Sequence, residues 1–350
     1  MTPPKELRMT NPLLTSRLPI VAAPMAGGPT TVALARAVAS AGAFPFLAGG
    51  YKTREVLAAE IEELRGAVTE FGVNLFVPSD DSVDEAAFAA YADELADEAA
   101  AYGLRLDARP VADDDGWVGK LALLLESPVP IVSFTFGLPD PADIAGLQRV
   151  GTRVLATVTT PDEASLAQQT GVDGLIVQGA SAGGHSATFD PTRAVEPRET
   201  VDLVREVVAA VDLPVIAAGG VDGPDAVREL LRTGAEAVAV GTLLLRTDEA
   251  GTSPTHRKAL GEPAFTQTVL TRAFTGRPAR ALRNGFVDRH DGNGLTAYPA
   301  VHHLTRALRQ AAASAGDADR LHLWAGTGWR QAPEGAAAAV IAHLAEGVGA

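Results

Sequence analysis

Two stretches of this chain pair an apolar run with glycine in the way an anion site requires. The first is Leu213-Pro214-Val215-Ile216-Ala217-Ala218-Gly219-Gly220-Val221, and the second is Ala237-Val238-Ala239-Val240-Gly241-Thr242. Glycine lets backbone N–H groups approach a ligand closely. The N-terminus of a following helix adds aligned donors and the positive end of its dipole. Either stretch alone also reads as an ordinary tight turn between strand and helix. Two of them at successive strand ends predict a phosphate site at Gly219, Gly220, Gly241 and Thr242, with the threonine hydroxyl as a further donor.

A second group of residues suits a flat ligand. In Val177-Gln178-Gly179-Ala180-Ser181-Ala182-Gly183-Gly184-His185 a strand-end Gln can donate to and accept from a heteroaromatic ring. Gly183 and Gly184 let the loop pass close to that ring. His185 closes the loop, and histidine is the side chain best matched to proton transfer near neutral pH. A loop histidine with a structural hydrogen bond is the bland alternative; the glycines and the strand-end position favour a catalytic base. Asn74 interrupts the apolar run Phe71–Phe76 and needs a partner, either a ring edge or a neighbouring loop. Ala23, Pro24 and Met25 could lie flat against a ring or form a packed turn.

The elements that must carry these residues alternate along residues 17–262. Parallel strands buried on both faces read as near-continuous apolar runs. Eight such runs occur: Ile20–Ala23, Phe44–Ala48, Glu70–Phe76, Pro130–Phe134, Arg153–Val158, Gly174–Gln178, Pro214–Ala218 and Ala237–Val240. Helical stretches lie between them at Thr30–Ala41, Thr53–Leu64, Pro161–Gln169, Thr200–Val211 and Pro224–Arg232. Thr160-Pro161-Asp162-Glu163 combines an N-cap, a first-turn proline and two acids at the positive helix end. Eight strand-then-helix units predict an α/β fold, a (β/α)8 TIM barrel, with the site at the C-terminal strand ends. An open doubly wound sheet would carry G-x-G-x-x-G after its first strand. Pro24-Met25-Ala26-Gly27-Gly28-Pro29 stands there instead.

The domain reading is a barrel over 12–262 and a smaller, mostly helical C-terminal cap over 263–333. A closing helix at 334–348 is free to return to the barrel. The long acidic segment Ser79–Glu126 is expected to hold two helices around a solvated turn at Asp113-Asp114-Asp115-Gly116, without a metal.

Composition narrows the partners. Hydrophobic residues make up 47% of the 350, enough for a large core, and the formal net charge is −14. Such a chain repels phosphate backbones, so nucleic acid is not an expected partner. The absence of cysteine excludes disulfides, thiolate metal sites and a Cys nucleophile. The opening MTPPKELRMTNPLLTSRLPI has no apolar signal region, and no membrane-length apolar run follows. The expectation is a cytoplasmic monomer or homodimer without metal.

Taken together, these residues resemble the nitronate monooxygenases, formerly called 2-nitropropane dioxygenases, over most of the chain. The resemblance rests on Pro24-Met25, on Gly72–Asn74, on Gln178 with the Gly179–His185 loop, and on Gly219-Gly220 and Gly241-Thr242. It extends to Phe134–Pro139, Thr271–Arg280 and Trp324–Gly328. It implies that FMN contacts Asn74, Gln178, Gly183, Gly220, Gly241 and Thr242, and that His185 is the catalytic base. Ala23, Pro24, Met25, Gly184 and Gly219 complete the expected cofactor set. Ser181, Tyr298 and His302 are candidate substrate contacts. The chain departs from the family pattern at Ser181, where Glu is common, and at Ser186-Ala187, where Arg-Gly is common.

The implied reaction is oxidation of an alkyl nitronate by O₂ to a carbonyl compound and nitrite. Flavin-dependent enoyl-acyl-carrier-protein reductases share the Gly-Gly-His loop, which makes NAD(P)H-dependent enoyl reduction the first alternative. A flavin-free phosphate-binding barrel, acting as a lyase or isomerase, is the alternative of another class.

Overall fold

The computed structural model describes residues 12–79 and 83–348. Residues 1–11, on which much of the signal-peptide reading falls, and 80–82 within the acidic segment lie outside the described residues.

Eight parallel strands close into a barrel: β1 (Ile20–Ala22), β2 (Phe44–Ala48), β3 (Gly72–Phe76), β4 (Ile131–Thr135), β5 (Arg153–Val158), β6 (Gly174–Gln178), β8 (Val215–Ala218) and β9 (Ala237–Val240), with β1 paired to β9. The short strand β7 (Gly184–His185) leaves the barrel. It joins an antiparallel sheet with β10 (Thr268–Thr271) and β11 (Ala279–Leu282). The expected (β/α)8 barrel is therefore the observed one, with strand ends differing by a residue or two.

Side chains alternate across a strand, so each barrel strand splits into two sets. Val21, Phe44, Phe46, Ile131, Leu155, Ile176, Ile216 and Ala237 pack together inside the barrel. Ile20, Leu47, Val73, Leu75, Val132, Val154, Leu175, Val215 and Val238 pack outward against the helices. Continuing the inward set toward the C-terminal ends brings Asn74, Thr135, Thr157 and Gln178 to the mouth. The apolar interior thus ends in a ring of hydrogen-bonding groups, as the site requires.

The helices start where capping chemistry dictates. Thr31, Thr53 and Thr160 each accept a hydrogen bond from the N–H three residues on, opening Val32–Ser40, Arg54–Arg65 and Pro161–Thr170. The C-terminal helix Ala337–Leu344 buries Val340, Ile341 and Leu344 in the barrel's outer core. Between barrel and tail, β10 and β11 stand beside the helices Gly285–His290 and Ala300–Ala315, so this segment contributes a strand pair as well as helices.

The acidic segment differs from expectation. Among its described residues are three helices, Glu85–Glu94, Ala96–Ala100 and Trp117–Glu126. Its Asp run is not a solvated turn throughout. Asp115 Oδ1 accepts from the Tyr51 N–H at 2.8 Å, and Lys120 Nζ, with its side chain 1% exposed, lies 2.7 Å from Asp115 Oδ2. Composition cannot distinguish a solvated Asp from one recruited by a buried lysine far across the fold.

Removing one partner of a buried ion pair leaves a desolvated charge. Lys120→Met is expected to destabilise the protein by about 3 kcal/mol. The double variant Lys120→Met/Asp115→Asn should recover part of that loss. Urea unfolding measures both; a single-variant cost below about 1 kcal/mol, the range of exposed pairs, would refute this account.

Candidate active site

The barrel mouth opens into a cavity of about 590 Å³ that collects the turn after β1, the β6–β7 loop, the ends of β8 and β9 and parts of the C-terminal segment. Ala23, Pro24, Met25, Asn74, Gln178, Ser181, Gly183, Gly184, His185, Gly219, Gly220, Gly241, Thr242 and His302 all line it. Tyr298 does not line it but stands directly behind its wall.

The amides at the mouth are already partly committed. Asn74 Nδ2 donates to the Ser133 carbonyl at 3.1 Å and to the hydroxyls of Ser133 and Thr135 at 2.9 Å each. What Asn74 offers the cavity is its carbonyl oxygen. Gln178 uses both ends of its amide on its own loop: Nε2 donates to the His185 carbonyl at 3.1 Å, and Oε1 accepts from the Ala187 N–H at 2.8 Å. Its side chain braces the loop that carries His185.

Further ties hold that loop. His185 pairs with Ala279 and Gly184 with Arg280, and the Ser186 N–H donates to the Pro278 carbonyl at 2.8 Å. Buried Arg277 donates to the carbonyls of Ser186 and Thr188. Arg280 Nε donates to the Ala180 carbonyl at 2.7 Å. From the barrel side, Glu163 Oε1 accepts from Phe189 N at 3.0 Å and pairs with Arg193 at 2.8 Å. A Gly-rich loop that would otherwise be mobile is thus fixed by side chains of β6, the helix after β5 and the segment before β11.

The glycines at the ends of β8 and β9 and in the β6–β7 loop sit in close backbone approaches. A Cβ at Gly183 would lie 2.5 Å from Gly326 N, and one at Gly220, whose φ is +77°, would lie 2.9 Å from Ser181 Oγ. Gly326 N in turn donates to Thr242 Oγ1 at 3.0 Å, and Thr327 N donates to the Ser181 carbonyl at 3.0 Å. Among the described residues the N–H groups of Gly220 and Gly241 find no acceptor in the protein. Such donors, with only glycine beside them, fit an anionic group such as a cofactor phosphate. Ser181 is engaged here, with its hydroxyl 2.9 Å from Thr200 Oγ1.

His185 sits in an aromatic box of Phe136, Tyr298 and Trp324, with ring centroids at 5.8, 5.6 and 5.4 Å. Its Nε2 lies 2.9 Å from Thr275 Oγ1, and that hydroxyl donates to the Arg277 carbonyl at 3.4 Å. With Nε2 as the donor, the lone pair resides on Nδ1. Burial, then the positive charges of Arg277 and Arg309, lower the His185 pKa to about 3. The resting imidazole is therefore neutral.

The wall facing His185 includes residues that sequence reasoning missed. Tyr51 and Phe136 hold left-handed backbone, at φ 65° and 81°. That conformation costs a bulky side chain on the order of 1–3 kcal/mol and concentrates at functional sites. Tyr51 is stacked on His302, 4.2 Å between centroids and 4° between planes, and accepts a hydrogen bond from Tyr298 at 3.1 Å. His303, the next residue, points the other way, to within 2.9 Å of Asp113, as helical spacing demands. Phe136 lay inside a stretch already singled out by resemblance, whereas nothing local distinguished Tyr51. Ser186 and Ala187, which depart from the family pattern, lie outside the cavity lining.

No group of three or more His, Cys, Asp or Glu suited to a metal occurs among the described residues. The cavity lining contains four histidines, Lys52, Arg306 and Arg309 but no Asp or Glu. It can bind an anion and present a neutral imidazole, with no Asp or Glu in the lining to compete for its cations.

The depressed histidines make stability depend on pH. Burial lowers His256 to about 4 and, with the arginines, His185 to about 3, against about 6.5 in an unfolded chain. The folded protein thus binds fewer protons than the unfolded one. Stability is complete above pH 6.5 and falls as pH drops toward 4. The thermal midpoint should decline from pH 6.5 to 5, and His256→Gln should make that decline shallower. A flat midpoint across this window would contradict the burial argument.

The chain matches the nitronate monooxygenase family model over residues 11–347. It is 31% identical over 337 residues to a probable nitronate monooxygenase of Staphylococcus aureus, covering 95% of this chain and 94% of that one. Among solved structures, nitroalkane oxidase from Streptomyces ansochromogenes superposes with a TM-score of 0.90 at 46% identity, covering 95% of this chain and 96% of the other. FabK from Thermotoga maritima superposes at 0.73 with 25% identity, over 95% and 93% of the two chains. The similarity runs almost from end to end, and the chain belongs to the nitronate monooxygenase family of flavin-dependent oxidoreductases.

Proposed function

We propose that the enzyme holds FMN in this cavity and oxidises alkyl nitronates with O₂ to a carbonyl compound and nitrite. The observation that carries the reading is the neutral His185 in a cavity lined by cations and no carboxylate. A base held near 3 stays unprotonated at neutral pH but is a weak match for a carbon acid, because proton transfer works best with a base whose pKa lies near the working pH. The site therefore favours a substrate that is already an anion. A nitronate is one, and the positive lining attracts it.

In this reading the backbone donors of Gly219, Gly220, Gly241 and Thr242 hold the phosphate. Ala23, Pro24, Met25, Gly183 and Gly184 would contact the ring, and Asn74 Oδ1 would accept a hydrogen bond from it. Thr242 already accepts from Gly326, so its hydroxyl proton remains to give. When bound, the flavin supplies the electron-accepting ring that oxygen recycles. Tyr51, having accepted from Tyr298, can donate its own hydroxyl proton to an oxygen of the substrate. For a neutral nitroalkane, His185 Nδ1 takes the Cα proton while Thr275 steadies the ring. His302 holds Tyr51 in place by stacking. Tyr298 acts through Tyr51 and His185.

Enoyl reduction is the competing reading, favoured by the likeness to FabK at 25% identity and opposed by the 46% identity to a nitroalkane oxidase.

The test begins with the visible spectrum of the purified protein, followed by ethylnitronate in air. A flavin spectrum and nitrite release are expected. Flavin without nitrite, together with NADPH oxidation driven by an enoyl thioester, would transfer the assignment to a reductase. His185→Asn should cut nitroethane turnover by about 10²-fold or more and ethylnitronate turnover much less. Equal losses on both substrates would remove His185 from the role of base.

A further inference from the structure

Part of the cavity lining forms a lobe of C-terminal residues, supplied by the helix Pro254–Ala259, the helix Ala300–Ala315 and the segment 321–324. Its polar lining is His256, His302, Arg306, Arg309, Gln310 and His322. Trp324 contacts both His185 and His322: its ring centroid lies 5.4 Å from that of His185 and 5.2 Å from that of His322.

Three groups in this lobe are short of partners. His256 is 7% exposed, and its buried Nε2 has no hydrogen-bond partner; neither has the buried Nδ1 of His322. Buried polar atoms in folded proteins are rarely left so. Arg309 is 5% exposed. It donates to Thr305 Oγ1 at 3.0 Å and to the His302 carbonyl at 2.9 Å, both neutral acceptors. Among the described residues it forms no ion pair with a carboxylate. A buried guanidinium without a counter-charge is costly unless something supplies one. Buried Lys120, by contrast, has Asp115 for a counter-charge.

We propose that this lobe is a subsite for a carboxylate-sized oxyanion, held by Arg309 and by the unpartnered ring nitrogens of His256 and His322. A planar guanidinium offers paired donors that match a carboxylate, and a ring nitrogen completes its coordination when it carries the proton, in the Nδ1–H tautomer of His322 or with His256 protonated at Nε2. The anion comes either from the far end of a substrate that reaches past Trp324 or from solution. The site does not depend on which redox substrate the enzyme uses, so its test needs no turnover.

Sodium acetate is titrated into the purified protein by calorimetry, with acetamide as the neutral isostere and tryptophan fluorescence as a parallel readout. Saturable acetate binding is expected, with no response to acetamide. Arg309→Met should weaken it at least ten-fold, and His322→Asn should weaken it too, with circular dichroism verifying that both variants fold. Equal responses to acetate and acetamide, or unchanged acetate affinity in both folded variants, would overturn the subsite. The source of the anion is read separately, from the KM of a nitronate ending in a carboxylate against an alkyl nitronate of equal length. A lower KM for the former that vanishes in Arg309→Met assigns the anion to the substrate. Equal KM values with acetate binding intact assign it to solution. A protein that turns over neither nitronate but binds acetate would reject the proposed reaction and leave the subsite standing.

Discussion

Closure of the parallel barrel is the constraint on which the rest of the molecule depends. Once β1 pairs with β9, every barrel strand is hydrogen-bonded on both edges, and side chains can only alternate inward and outward. The inward set has no choice of neighbours. Gly72 is needed where the Phe46 ring crosses β3, because a Cβ there would lie 2.2 Å from it. Two residues on, the same face presents Asn74, next to Ser133 in the register of β4. The polar ring at the mouth is therefore a consequence of strand register and not of loop design.

What the barrel cannot fix by register it fixes by long-range clamps. The Gly179–Thr188 loop carries the histidine yet contains little that would order it alone. Gln178 spans its base, Arg277 and Arg280 grip its carbonyls, and Glu163 anchors its far end. These are charge-assisted or buried hydrogen bonds, which lose more when broken than surface contacts do. They also fix the orientation of the imidazole, since His185 lies within the β7–β11 pairing.

Electrostatics divide the molecule in two. The chain as a whole carries a net charge of −14, while the cavity lining has cations and histidines but no carboxylate. In a dry site, field from a few buried guanidinium groups outweighs that of distant screened carboxylates. The same burial that makes the cavity attractive to anions drives protons off its histidines. Binding and protonation state are thus set by one cause.

The sequence alone determined the barrel, its eight strands to within a residue or two, the capped helix starts and the family. Those features follow from local periodicity and from glycine, proline and threonine at turns, which act over a few residues. It also placed Asn74, His185 and the glycines at one end of the barrel, because strand ends in a parallel barrel share a rim. Only the tertiary structure decided that Gln178 is a brace, that Ser181 turns toward Thr200, and that Asp115 leaves solvent for Lys120 and Tyr51. Tyr51, His256, Arg309 and His322 come from distant segments without local signals. Their meeting around one cavity is a property of how those segments pack, and burial, which sets their charge states, exists only after packing.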